Sequence, residues 1–136
     1  MAREKLLTAA HNLLARRGFE VRRHPAARRQ RLLAAHGVDL VLDVGAARGG
    51  YGRQLRDFGY EGRIVSFEPL ASAYADLADH IADDPAWTAH HTALGAEPGE
   101  AEINIASNSD SSSLLPMLDA HRDAAPQVGY VGTEKV

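Results

Sequence analysis

The segment VLDVGAARGGYG, Val41 to Gly52, runs from aliphatic residues through a carboxylate into glycine and alanine. Gly45 and Gly49 let the backbone turn tightly and let a ligand approach without side-chain obstruction. A helix predicted to begin near Gly50 offers free N–H groups in its first turn. A second carboxylate, Glu68, stands nineteen residues after Gly49, at the end of the next apolar run. A carboxylate so placed can accept both hydroxyls of a ribose. The chemistry suggested is the grip of a nucleoside-bearing cofactor.

Asp43 narrows the choice. Dinucleotide sites use G-x-G-x-x-G with the pyrophosphate on the helix terminus. Here the glycines run Gly45, Gly49, Gly50, so that spacing fails, and Asp43 would face an anion. S-adenosylmethionine has no phosphate, and its methionyl end carries an ammonium beside a sulfonium. A carboxylate just before the turn suits that charge. The competing reading is that Asp43 only caps a turn or a helix.

These residues need elements to hold them. Periodicity predicts helices over 3–17 and 26–36, then the strand VDLVLDVG, a helix over 50–58 and the strand GRIVSFEP. A helix over 70–82, a weaker strand from Trp87 to Leu94 and an alternating strand AEINIAS follow. SNSDSSS reads as a polar loop, 114–124 as a short helix capped by a serine, and VGYVGTEKV as the start of a strand. Residues 19–24 read as a short extended piece. From residue 38 the order strand, helix, strand, helix, strand implies parallel strands with right-handed crossovers. That is α/β architecture, the first half of a Rossmann-like fold, with ligands beyond the carboxyl ends of the strands. Two parts follow: a basic helical segment over 1–37 and a cofactor-binding portion over 38–136.

The run VDLVLDVGAARGGYGRQLRDFGYEGRIVSFEPL resembles the FkbM-type methyltransferases, a family of S-adenosylmethionine-dependent O-methyltransferases. WTAHHTALG and INIASNSDSSSLLP are similar to that family's later segments. The resemblance extends from about Leu40 to the last residue. It implies a class I methyltransferase fold, with Asp43, Gly45 and Gly49 in the cofactor loop and Glu68 on the ribose. It implies that Pro69 and Leu70 flank the adenine, with Ala93 and Leu94 opposite. Ala47 stands where the family usually has Asn, so an amide near the cofactor is missing. Tyr51, just inside the loop, reads either as a contact to the methionyl part or as packing. The family continues through a strand resembling LLKIDVEG, so the expectation is an amino-terminal portion, a truncated or shortened form. VDLVLDVG then keeps an open edge, and homo-oligomers through that edge are expected.

Composition sets the remaining bounds. Apolar content of 45% and charged content of 24% are ordinary for a globular domain. With no cysteine there is no disulfide and no thiolate zinc site. No secretory or membrane-spanning run is visible, so a cytoplasmic protein is expected. The net charge of −3 hides an asymmetry, a local +7 over 1–37 against −10 beyond. Such a basic segment reads as a nucleic-acid or membrane arm, or as a face docking on the acidic body. Leu6, Leu7, Leu13 and Leu14 favour docking, so neither nucleic acid nor membrane is expected as a partner. The arginines Arg22, Arg23, Arg28, Arg29 and Arg31 are candidates for binding phosphate or an acidic substrate. His90 and His91 point to opposite faces of a strand and cannot share an ion. His80 with Asp83 and Asp84 reads as a solvated helix end, and no metal is expected. Ser111, Ser112 and Ser113 lack a nucleophile elbow.

The expected function is methyl transfer from S-adenosylmethionine to a hydroxyl of a small molecule or glycan, with no catalytic base identified. The alternatives are a catalytically inactive, truncated methyltransferase-like binding or assembly module and, less favoured, a dinucleotide-dependent oxidoreductase.

Overall fold

The computed structural model describes residues 2–20, 24–108 and 111–136. Helices α1 (Ala2–Arg16) and α2 (Pro25–Ala35) precede β1 (Leu40–Val44), α3 (Gly50–Asp57), β2 (Arg63–Phe67), α4 (Ala71–Ile81) and β3 (Trp87–His90). The three strands form a parallel sheet in the order β1-β2-β3. The chain is thus mixed α/β, compatible with part of a Rossmann-like fold.

Register explains which side chains are buried. Val41 lies opposite Ile64, which lies opposite Trp87, and Asp43, Ser66 and Ala89 form the next row. Alternation along each strand puts all six on one face. Leu55 of α3 and Leu77 and Ile81 of α4 close over that face and complete the core with Ala46, Tyr60, Ile64 and Trp87. Trp87 sits where two glycines leave room. A Cβ on Gly52 would lie 2.1 Å from Trp87 Cζ2, and one on Gly49 would lie 2.8 Å from Leu77 Cδ1. The space beside Gly49, expected to serve ligand approach, is filled by core packing. Beside Gly45 it is open.

The second sheet is a hairpin of β4 (Glu102–Ala106) and β5 (Tyr130–Lys135), which pair antiparallel. The carboxyl-terminal strand thus returns on β4. Ile103 packs with Leu70 and Ala73, and Glu134 Oε1 accepts from the Ala71 N–H at 2.9 Å, tying the hairpin to the start of α4. The predicted helix over 114–124 is shorter, α5 (Asp119–Ala124), and follows Leu118 without a side-chain cap. Pro116 disfavours helical backbone at the residue before it. Ser112 and Ser113 are engaged instead by the N–H groups of Ala106 and Leu115, both at 3.0 Å.

The expected docking of α1 is not observed. Leu6 and Leu13 are 72% and 54% exposed. Leu33 of α2 packs against the core, whereas Leu6, Leu13 and Leu14 of α1 are exposed. Of the extended piece expected at 19–24, Val21, Arg22 and Arg23 lie outside the described residues. On β1, which pairs with β2 alone, Leu42 and Val44 are 59% and 60% exposed. Among the described residues no helix is long and apolar enough to cross a membrane.

Arg56 joins the end of α3 to the turn before β3. Its Nε donates to Asp84 Oδ2 at 2.7 Å, and Nη1 donates to the carbonyls of Tyr60 and Gly62 at 2.6 and 2.7 Å. The hydrogen bond from Arg56 holds the Asp84 carboxyl below its usual value of 3.8, against the opposing effect of burial. A depressed carboxyl stabilises the fold above its unfolded value, and that contribution is lost as pH falls through the folded one. Asp84→Asn is therefore expected to cost about 1–2 kcal/mol at pH 7. Thermal melts of both proteins across pH check this: the gap should close below pH 3.8. A gap independent of pH would contradict the ion pair's role.

Candidate functional site

The site lies where the carboxyl ends of β1 and β2 meet the glycine turn. The N–H groups of Gly45 and Ala46 both donate to Phe67 O, at 2.9 and 3.1 Å, so the turn is pinned to the end of β2. Glu68 follows at once and is buried. Its Oε2 accepts from the Ala47 N–H at 2.7 Å and its Oε1 from the Leu70 N–H at 2.9 Å. One carboxylate thus clamps the turn to the loop before α4. A carboxylate has about four acceptor positions, so Glu68 retains capacity for two hydroxyls.

Ala47 takes a left-handed conformation, with φ of +47°. Asn tolerates that region better than Ala, whose Cβ crowds the following carbonyl. The backbone at position 47 therefore suits Asn better than the alanine present. Here the Glu68 hydrogen bond helps hold an alanine in a strained geometry.

Asp43 is buried beneath the turn, on the helix-covered face of β1. The Ser66 hydroxyl donates to its Oδ2 at 3.4 Å and in turn accepts from the Trp87 indole N–H at 3.0 Å. Burial raises the Asp43 carboxyl above its usual 3.8, the Ser66 hydrogen bond opposes this, and the nearby Glu68 raises it further. Neither Lys nor Arg acts on Asp43. Two neighbouring carboxylates therefore share a site that holds no cation among the described residues, and they favour a positively charged ligand.

Two cavities adjoin the turn. One of 150 Å³ is lined by Gly45, Ala47, Glu68, Pro69, Leu70, Ala73, Ile103 and Ser112. The other, of 210 Å³, is lined by Gly45, Pro69, Ala93, Leu94, Ile103 and Ser112 among others. Four of the linings are shared. Each is smaller than the roughly 300–1,000 Å³ of small-molecule pockets. Gly45, Ala47, Glu68, Pro69, Leu70, Ala93 and Leu94 are thus brought together. Asp43 and Gly49 lie off these walls, beneath the turn and in the core. Tyr51 turns toward α2, its ring 4.6 Å under the Arg29 guanidinium, which also donates to Gln54. Ile103 of the hairpin joins the wall unforeseen. Its only signal in the sequence is the alternation of AEINIAS.

The other candidates are dispersed. His90 stacks on Phe67 at 5.3 Å and His91 on Tyr74 at 4.9 Å. His80 bonds the Asp76 carbonyl at 2.6 Å, while Asp84 is held by Arg56. Arg28 and Arg31 are exposed, and Arg22 and Arg23 fall outside the described residues. Among the described residues no cluster of three or more His, Asp or Glu could hold a metal ion. Comparison with known proteins finds no matching family model, no matching curated protein and no matching solved structure.

A buried carboxylate with a raised pKa costs stability once ionised, and that cost disappears as pH falls toward its unfolded value. Asp43→Asn should therefore raise the melting temperature of the free protein at pH 7. The gain should shrink as pH is lowered toward 3.8. A variant less stable than the parent at pH 7 would make Asp43 a structural cap instead.

Proposed function

We propose that this chain is the cofactor-binding part of a class I, FkbM-type methyltransferase that uses S-adenosylmethionine to methylate a hydroxyl of a small molecule or glycan. The observation that carries the reading is the pair of buried carboxylates, Asp43 and Glu68, set around an open glycine turn with no compensating cation among the described residues. The residues fit the cofactor: Gly45 leaves open space beside the backbone, and two adjoining cavities are lined by Glu68, Pro69 and Leu94. In this reading Glu68 binds the ribose hydroxyls with its remaining acceptor positions. Asp43 favours the cationic methionyl end electrostatically, through the turn. Pro69 and Leu94 offer apolar contact to the adenine. The cofactor supplies an electrophilic methyl group. The chain supplies position, which matters most for an in-line displacement.

A second reading, an assembly module, is favoured by the exposed Leu6, Leu13 and Leu14 of α1 and by Leu42 and Val44 on the edge strand. It expects self-association in sedimentation, reversed by Val44→Lys, since charge on an edge blocks strand pairing. A monomer at high concentration contradicts it.

For the methyltransferase reading, calorimetry with S-adenosylhomocysteine and NAD is the test. S-adenosylhomocysteine should bind and NAD should not. Glu68→Gln should weaken the former by about 1.5–3 kcal/mol. Tight NAD binding, with no response to S-adenosylhomocysteine, would overturn the proposal.

A further inference from the structure

Described residues after β4, with His121 of α5 and Tyr130 of β5, line an open cavity of 510 Å³ that the donor site does not use. Its wall is mainly Leu115, Pro116, Met117, Leu118 and Tyr130, with Ser111, Ser113 and His121 as polar points. We propose that this cavity binds the methyl acceptor, and that the acceptor is an apolar small molecule carrying a hydroxyl rather than a glycan. The inference rests on the donor reading of the glycine turn and adds its substrate class.

Three observations carry it. First, the volume lies within the roughly 300–1,000 Å³ of small-molecule sites, and an apolar lining with a few polar groups is the usual composition of such a site. Second, Ser113 lines both this cavity and the one beside Gly45 and Leu94, so the two compartments meet at one residue. Third, among the described residues the wall offers neither a carboxylate nor a side-chain amide, the groups that bracket the many hydroxyls of a sugar. The Tyr130 hydroxyl is already donated to Leu115 O at 2.9 Å, and the Ser113 hydroxyl accepts from the Leu115 N–H. Their bonds brace the loop and leave an apolar interior. The His121 imidazole and the hydroxyl protons of Ser111 and Ser113 are the groups among the described residues that can meet an acceptor hydroxyl. In the transfer, the new O–C bond forms as the methyl C–S bond breaks. The sulfur leaves as a neutral thioether, and the hydroxyl proton passes to water at the cavity mouth.

The probe is 2-naphthol, an apolar body with one hydroxyl, titrated by fluorescence into the full chain, with methyl glucoside as competitor. S-adenosylhomocysteine is titrated by calorimetry into the same samples. Saturable 2-naphthol binding is expected, unaffected by methyl glucoside. Leu118→Asp should weaken it at least about tenfold and leave S-adenosylhomocysteine binding unchanged. Leu118 is 72% exposed, so the variant should fold. Leu6→Asp, an equally exposed leucine on α1, should change nothing. If S-adenosylhomocysteine binds but 2-naphthol does not, or Leu118→Asp has no effect, the acceptor assignment falls and the donor reading stands. Displacement by methyl glucoside overturns the substrate class. A cavity closed by a second copy, seen as self-association without 2-naphthol uptake, also overturns it. If 2-naphthol binds and S-adenosylhomocysteine does not, the donor reading falls and takes the acceptor role with it.

Discussion

The packing of one indole organises this molecule. Trp87 fills the gap that Gly49 and Gly52 leave between α3 and the sheet, and no side chain at Gly52 could share that space. Its N–H donates to Ser66, whose hydroxyl reaches Asp43. A hydrophobic contact and a buried polar chain thus run through the same residue. The first sets how closely α3 lies on the parallel strands. The second fixes where the carboxylate sits beneath the turn. Buried polar groups need partners, and here the partner of Asp43 is positioned from β3, two strands away.

From that seat the site is assembled by backbone geometry more than by side chains. The turn is tied to Phe67 O, and Glu68, the next residue, holds Ala47 and Leu70 by their N–H groups. The left-handed Ala47 is stable only because those bonds over-determine it. Negative charge gathers under an open turn with no cation among the described residues to offset it. The buried Asp43 carboxylate lowers stability when the turn is empty and favours a cationic ligand when it is occupied, the usual compromise between stability and function.

Much of this was legible in the sequence. Short aliphatic runs alternating with helical periodicity imply parallel strands, and the positions of Asp43 and Glu68 at strand ends follow from that order. The cavity walls expected from Pro69, Ala93 and Leu94 lie together. What the sequence concealed was tertiary. The neighbours of Gly49 are Leu77 and Trp87, far along the chain, so glycine chemistry alone could not separate packing from ligand approach. Tyr51 finds an arginine on α2, a contact between distant segments. The leucines of α1 have helical spacing, yet spacing cannot say whether a surface exists to bury them. The antiparallel return of β5 on β4 accompanies packing of Ile103 against Leu70 and Ala73, a contact that local propensity does not encode.

The claim that the turn between Asp43 and Glu68 holds an adenosyl ligand is tested most directly by following its own N–H groups. In a ¹H–¹⁵N NMR titration with S-adenosylhomocysteine, the amides of Gly45, Ala47 and Leu70 and the Trp87 indole should shift together along one saturation curve. The indole belongs in that set because Ser66 links it to Asp43. A spectrum in which these signals stay fixed, while the ligand is saturating or shifts only signals elsewhere, would contradict it.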